Sequence, residues 1–340
     1  MNPGRVTGTT RLLVGIAAVG VLIPGNALSG VFIFSDGNNP DRILHPSGYS
    51  GSGGPLAIRV CIDPESESIN EMRDSVRNAV AIWNQRQPAS PNLFRGGNND
   101  IPSGTIDFES VLLHEIGHCL GLAHPNEANE SDLSGSDQNY TKTDPGPNEA
   151  RDLDPGPDGR KGSADDLRGD DINLHWLNID INNPFELTLP VDASTYSRDL
   201  ADLPPGDTFA ANADRGVGSD LGFPNTEAVM QQGTGFDEDQ RQLAVDDVAT
   251  LLLGMSGLDR QAGTADDYEP TLVFDGVQEG CDITVNLSGD SFAFCRVSGG
   301  PITANHWRIS SGTVQMGSAQ EFNWFFNFSE DVFADGFETQ

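Results

Sequence analysis

Three of the six histidines in the 340-residue chain lie close together, at His114, His118 and His124. Residues four apart share one face of an α-helix, so His114 and His118 can direct their imidazoles at one metal ion. Gly121 can end that helix, because glycine adopts the positive φ that turns the chain and returns His124 to the same ion. Three imidazoles leave one tetrahedral position open for water, which is typical of a catalytic zinc rather than a structural one.

Glu115 directly follows the first of these histidines, where it can hold and deprotonate a water molecule beside the metal. A single histidine is more often a core or surface residue than a ligand, whereas a trio with this spacing favours the zinc interpretation. The sequence therefore predicts one bound Zn²⁺, with Glu115 as the general base of a hydrolytic reaction.

The pattern His-Glu-x-x-His-x-x-Gly-x-x-His at residues 114–124 resembles that of metzincin zinc peptidases, and within them the matrixin branch. That family carries a methionine turn beneath the zinc site, and Met230 within residues 227–233 is the best match to it. A helix that begins with a pair of acids follows this turn in matrixins, as residues 243–254 do here. The resemblance implies a zinc endopeptidase in which Gly121 and Met230 have structural roles.

A helix predicted at 68–87 also occupies the place of the family's first helix. Together with the motif and the Met230 segment, it extends the resemblance over residues 55–124 and 225–256. Only a short segment separates that helix from Asp107. The family's edge strand, which aligns the substrate, is therefore expected to be short or replaced. No cysteine-switch loop precedes the first strand, so latency through a propeptide is not expected.

Residues 125–224 are rich in Asp, Gly, Pro and Asn, which predicts a long acidic loop insertion where matrixins have a short connection. Within it, Asp154, Asp158 and Asp165 have the spacing of positions 1, 5 and 12 of a calcium-binding loop. The alternative is a solvated acidic turn without an ion. For the related segment at 257–267 that alternative is favoured.

Hydrophobic periodicity predicts the elements around the motif. The predicted elements are a strand at 55–63, helices at 68–87, 108–121 and 243–254, and strands at 282–287 and 292–297. Ser68 and Glu71 form a capping-box signature for the first helix, and Gly254 is the predicted stop of the third.

The predicted fold class is α+β, with a metzincin-like twisted mixed sheet, three main helices, the acidic insertion and a small C-terminal β-rich unit. The predicted domains are a signal peptide at 1–29, a catalytic domain at 30–270 and the β-rich region at 271–340.

Residues 1–29 contain no acid and carry an apolar run from Leu12 to Ile23, followed by small residues. This pattern is typical of a secretory signal peptide, and the run is shorter than the roughly 20 residues that span a bilayer. We therefore expect a secreted protein without membrane insertion.

The chain is strongly acidic, with 51 Asp and Glu against 19 Lys and Arg and a formal net charge of −32. A field of that sign repels phosphates, which disfavours nucleic-acid binding. The expected partner is a protein or peptide substrate, and we expect the enzyme to act as a monomer.

Four cysteines in an exported chain predict two disulfides, and four cysteines allow three connectivities. Cys281 and Cys295 lie between two predicted strands, so their pairing is the simplest, which leaves Cys61 to pair with Cys119. The alternative is buried free thiols.

Three functions remain open from the sequence. The first is a secreted zinc endopeptidase, and the second is a calcium-dependent extracellular binding or adhesion protein on a metzincin scaffold. The third is a zinc hydrolase with a substrate other than a peptide. The presence of Glu115, which a scaffold would not need, favours an enzyme over a binding protein.

Overall fold

The computed structural model describes residues 30–35, 39, 41–88, 104–124, 176–179, 187–198, 202, 228–230, 234, 236, 238–320 and 322–324. The predicted signal peptide and most of the acidic insertion lie outside these residues. Within this part of the chain, no helix is both long and apolar enough to cross a membrane.

The described residues contain three α-helices and twelve strands. The helices are α1 (Ile69–Gln85), α2 (Phe108–Cys119) and α3 (Val245–Met255). The strands are β1 (Val31–Phe32), β2 (Ile43–His45), β3 (Gly54–Ile62), β4 (Ile106–Asp107), β5 (Leu122–Ala123), β6 (Leu177–Asn178), β7 (Tyr196–Ser197), β8 (Tyr268–Val277), β9 (Ile283–Leu287), β10 (Ala293–Pro301), β11 (His306–Met316) and β12 (Phe322–Asn323).

A six-stranded mixed sheet forms the framework of the molecule. Its order is β10-β11-β9-β3-β8, and β2 also pairs with β11. β10 runs antiparallel to β11, whereas the other neighbours pair in parallel. Three further pairs, β1 with β5, β12 with β4 and β6 with β7, form two-stranded sheets. The helices and the mixed sheet confirm the α+β class, and β10 forms one edge of the sheet.

The strands predicted near the C-terminus are present, but they do not form a β unit of their own. β3 pairs with both β8 and β9, so the C-terminal strands belong to the same sheet as the first long strand. The prediction of a separate C-terminal unit is therefore corrected. Strands that are far apart in sequence can pair in one sheet, and the periodicity within each strand does not show which strands will pair.

α1 forms because its apolar residues recur at helical spacing and bury one face against the sheet and α2. The buried apolar residues of this face are Met72, Val76, Ala79, Val80 and Trp83. The predicted capping box is wrong. Ser68 adopts a left-handed conformation with φ 51° and makes no side-chain hydrogen bond to the helix.

Gly254 does not stop α3, which continues to Met255. A Cβ at Gly254 would lie 3.4 Å from both Phe32 Cε1 and the Tyr268 hydroxyl. These are ordinary contact distances, so Gly254 lies within the last turn of the helix beside β1 and β8, and the helix ends one residue after it. Local sequence rules cannot distinguish a glycine inside a helix from one that follows its end.

The two disulfides are Cys61–Cys281 and Cys119–Cys295, so the predicted pairing is wrong although all four cysteines are bonded. β11 lies between β9 and β10 in the sheet, which keeps Cys281 away from Cys295. Cys281 instead lies beside β3, which carries Cys61. Both bridges join parts of the chain that are far apart in sequence.

A buried carboxyl on α2 predicts a stability that depends on pH. Glu109 is 4% exposed and accepts a hydrogen bond from Asn78 Nδ2 at 2.9 Å. Burial raises its pKa from 4.5 to about 7, against the opposing effect of Arg241. Because this carboxyl pKa is raised, the contribution of Glu109 to the stability of the fold is largest below pH 4.5 and is lost as the pH rises to 7.

Glu109→Gln should remove this loss, because glutamine can accept the same hydrogen bond without ionising. At pH 8 we expect the variant to be more stable than the wild type by up to about 3 kcal/mol, and at pH 4 similarly stable. Urea unfolding at both pH values measures the difference. Glu71→Gln, at an exposed acid of α1, is the matched control, and an equal gain in both variants would contradict the prediction.

Candidate metal centre

α2 carries the first two histidines, and a buried carboxylate fixes its start. Asp107 at the N-cap accepts hydrogen bonds from the Ser110 backbone N–H at 3.0 Å and from the Ser110 hydroxyl at 2.6 Å. Arg241, which precedes α3, donates to the same carboxylate through Nε at 2.7 Å. These contacts satisfy the first turn of α2 and fix its position relative to α3.

The imidazoles of His114, His118 and His124 converge through their Nε2 atoms. His114 Nε2 lies 3.1 Å from His124 Nε2, and His118 Nε2 lies 3.0 Å from the same atom. His114 Nδ1 lies 2.7 Å from the Val229 carbonyl, and His118 Nδ1 lies 2.7 Å from the Leu122 carbonyl. A carbonyl oxygen can only accept, so both Nδ1 atoms carry the proton and both Nε2 lone pairs are free to bind a metal.

This donor set fits a zinc ion. Burial lowers the pKa of His114 to about 3 and the pKa of His118 well below its usual value, with neighbouring histidines adding to the effect. Both therefore stay in the neutral form that coordinates metal. A cation between the three nitrogens would also remove the repulsion between lone pairs that face each other.

Gly121 allows His124 to return to the other two histidines. Its φ is +110°, and a Cβ at this position would lie 2.6 Å from the Leu44 carbonyl oxygen. Both the conformation and the contact exclude larger residues. β1 then pairs with β5, and the Ile33 N–H donates to the Gly121 carbonyl at 2.9 Å, which fixes the segment leading to His124.

Met230 lies beneath α2, where the methionine turn was predicted. A Cβ at Gly117 would lie 2.2 Å from Met230 Sδ and 2.9 Å from Trp83 Cζ2. Gly117 therefore makes the space that Met230 fills, on the helix turn between His114 and His118. The preceding residue, Val229, is the one whose carbonyl accepts from His114 Nδ1.

Asp247 of α3 holds this turn in place. Its carboxylate accepts the backbone N–H groups of Val229 and Met230, both at 2.9 Å, and that of Ala244 at 2.7 Å. Burial raises its pKa to about 6, and the three N–H donors oppose this shift. Asp247 thus connects the start of α3 to the carbonyl that orients His114.

Glu115 lies on α2 next to the first ligand. Its side chain is buried, and its Oε2 atom has no hydrogen-bond partner. Burial raises the pKa of Glu115 from 4.5 to about 8, against a smaller opposing effect of the Cys295 backbone N–H. The unused Oε2 oxygen is the atom available to accept a proton.

A cleft of about 370 Å³ opens above the three histidines and Glu115. Two further segments line it, residues 32–35 around β1 and residues 292–295 at the start of β10. Four phenylalanines contribute, Phe32 and Phe34 from the first segment and Phe292 and Phe294 from the second, so much of the lining is apolar. The metal ligands and the carboxylate therefore face a shared, accessible space.

β10 is the strand beside this cleft, and it is an edge strand of the sheet. It follows α3 in the chain, whereas no strand of comparable length is described between α1 and α2. The sequence predicted that the edge strand would be short or replaced. In the described residues, β10 is the long strand beside the cleft, and residues 89–103 between α1 and α2 lie outside them, so that prediction stays untested.

Asp154, Asp158 and Asp165, the predicted calcium ligands, lie outside the described residues, so calcium binding there stays a prediction. The related segment at 257–267 lies within the described residues. Its clustered acids Asp266 and Asp267 accept hydrogen bonds from backbone N–H groups of the same turn. The ligand oxygens of Asp259, Asp266 and Asp267 also lie within 4.8 Å of one another, a spacing that could hold a metal ion. The interpretation of this segment as a turn without an ion therefore stays a prediction.

The sequence did not predict two contributors to this centre. Asp247 was recognised only as part of a helix start, and β1 was not predicted. The pair of acids at the start of α3 was the one available signal, since a carboxylate at a helix start often binds backbone N–H groups.

Comparisons of the chain with family models, with curated proteins and with solved structures gave no match.

Proposed function

We propose that the protein is a secreted zinc-dependent endopeptidase of the metzincin type, similar to the matrixin branch. The observation that carries this proposal is the convergence of three histidine Nε2 atoms beside the Glu115 carboxylate at the cleft. The two disulfides support an exported protein, because disulfides persist in oxidising compartments.

His114, His118 and His124 would hold the zinc. When bound, zinc supplies a Lewis acid that polarises the scissile carbonyl and makes water more acidic. Glu115 accepts the proton of the attacking water and passes it to the leaving amine nitrogen. Its buried position keeps competing solvent away from the carboxylate.

The shape of the cleft favours a polypeptide over a small substrate. Among the described strands, β10 lies at the edge of the sheet beside the cleft, where an extended chain can align its backbone. The phenylalanines around the cleft can contact apolar side chains on either side of the scissile bond. These features support peptide hydrolysis over the reaction of a zinc hydrolase with a smaller substrate.

The test is cleavage of casein by the purified protein, with and without a chelator. We expect cleavage that the chelator abolishes and that added zinc restores. Calcium is added back in a separate arm, because a chelator also removes calcium from the acidic insertion. Restoration by calcium alone, without zinc, would contradict the proposal.

A further inference from the structure

His45 and His306 form a buried pair of imidazoles between β2 and β11. His45 Nε2 lies 2.9 Å from His306 Nδ1, and the two rings stack. His306 lies opposite Ile43 in the strand register, so His45 and His306 share one face of the sheet. On its other side, His45 Nδ1 lies 3.2 Å from the Tyr268 hydroxyl of β8. All three side chains are buried, and none of them lines the cleft of the metal centre.

The short distance between the two nitrogens limits how many protons the pair can hold. In the neutral pair, one of these nitrogens donates a hydrogen bond and the other accepts it. If both imidazoles were cationic, both nitrogens would carry a hydrogen, and the two hydrogens would face each other across 2.9 Å. The closed pair therefore takes up at most one proton. Two exposed histidines take up one proton each as the pH falls below about 6.5.

The surroundings do not favour a charge on the pair. The titratable and charged groups that face it, among the described residues, are Tyr268 of β8, Tyr49 after β2, and Asp266 and Arg260 of the turn before β8. Asp266 favours a positive charge, but its carboxylate already accepts hydrogen bonds from the backbone of its own turn, and Arg260 opposes one.

Burial lowers the pKa of His45 to about 3 and the pKa of His306 below its usual value. Because both values are lowered, the contribution of the pair to the stability of the fold is complete above about pH 6.5, the pKa of an exposed histidine. This contribution is lost as the pH falls from there.

β2 connects this pair to the turn that positions His124. Leu44 directly precedes His45, so its side chain points to the opposite face of β2. A Cβ at Gly121 would lie 2.6 Å from the Leu44 carbonyl oxygen and 3.3 Å from Leu44 Cβ, so the Gly121 turn packs directly against β2. β2 has three residues, all of which pair with β11. A separation of β2 from β11 would therefore remove the support of the Gly121 turn.

We propose that His45 and His306 form an acid-sensitive latch for the metal centre. When the pH falls, proton uptake by both imidazoles separates β2 from β11 and frees the Gly121 turn, which releases His124 from the zinc. The proposal rests on the proposed function only in its consequence, which is that acid stops peptide cleavage. The opening of the latch can be measured without any substrate.

Two backbone amides report the opening in the zinc-loaded protein. The Ile43 N–H donates to the Asn305 carbonyl at 2.8 Å, so its protection against hydrogen exchange reports the contact of β2 with the start of β11. The Ile33 N–H donates to the Gly121 carbonyl at 2.9 Å, so its protection reports the Gly121 turn. Protection is compared at pH 7.5 and pH 5, after correction for the intrinsic exchange rate.

His306→Gln is the test variant, because it removes one site for a proton and keeps a hydrogen-bonding group beside His45 Nε2. His175→Gln is the control, because it changes a histidine outside the pair. Both variants and the wild type retain Glu109, so the opposite pH dependence of that carboxyl cancels in the comparison.

Each proton that only the open state binds changes the opening equilibrium about 30-fold between pH 7.5 and pH 5, for a histidine pKa of about 6.5. The wild type and His175→Gln should therefore lose at least about 30-fold in protection at both amides on acidification. The loss in His306→Gln should be about 30-fold smaller. Zinc release to a chelator should also accelerate on acidification by a larger factor in the wild type than in His306→Gln.

An equal loss of protection in the wild type and His306→Gln would overturn the proposal, as would a loss at Ile43 without one at Ile33. His45→Gln removes a proton site from the other side of the pair and decides the question if His306→Gln does not fold. If the zinc-loaded wild type cleaves no peptide at any pH, the proposed function fails. The exchange comparison then still decides whether the latch exists.

Discussion

Glu115→Gln should retain one zinc per chain while peptide cleavage falls by a factor of about 10² to 10⁴. Glutamine has nearly the size of glutamate, so the helix and the three imidazoles should be undisturbed. It can still hydrogen-bond water, but it cannot take up a proton. The loss should therefore lie in kcat, measured together with zinc content by elemental analysis.

Glu109→Gln is the matched control for this variant, because it changes another buried glutamate of the same helix that does not line the cleft. The control should cleave at the wild-type rate. If Glu115→Gln and the wild type are equally active, a different group activates the water. If both are inactive on every protein offered, the calcium-dependent binding protein becomes the better account.

His118→Ala should lower the zinc content to near zero. Two imidazoles remain, and a pair of nitrogens holds zinc far more weakly than the three-ligand set of a catalytic site. The variant also loses the hydrogen bond to the Leu122 carbonyl, so circular dichroism must show that α2 persists.

His175→Ala changes a histidine outside the motif and should keep its zinc, which controls for a general effect of losing a histidine. A tightly held zinc in His118→Ala, at one per chain, would contradict the ligand assignment.

The local features of the metal centre could be predicted because they follow from short-range geometry. The spacing of His114 and His118 places them on one helix face whatever the rest of the chain does. The left-handed conformation that Gly121 adopts is also a local property. The order of Met230 after this motif was enough to place it near the site.

The sheet and the disulfides could not be predicted in the same way. Cys61 and Cys281 are separated by 220 residues, and Cys119 and Cys295 by 176. Which cysteines pair over such distances depends on the order of the strands in the sheet, and the periodicity within each strand does not predict that order. Gly254 shows a second limit, because a residue type that often ends helices lies here within α3, which ends at Met255.

The most direct test of the central claim is a titration of the metal-free protein with zinc, in which bound zinc and the rate of casein cleavage are measured on the same samples. A catalytic zinc held by His114, His118 and His124 predicts that the rate rises in proportion to bound zinc and reaches its maximum at one ion per chain. Cleavage at full rate without zinc, or a protein that holds one zinc at these histidines and cleaves neither casein nor peptides, would contradict it.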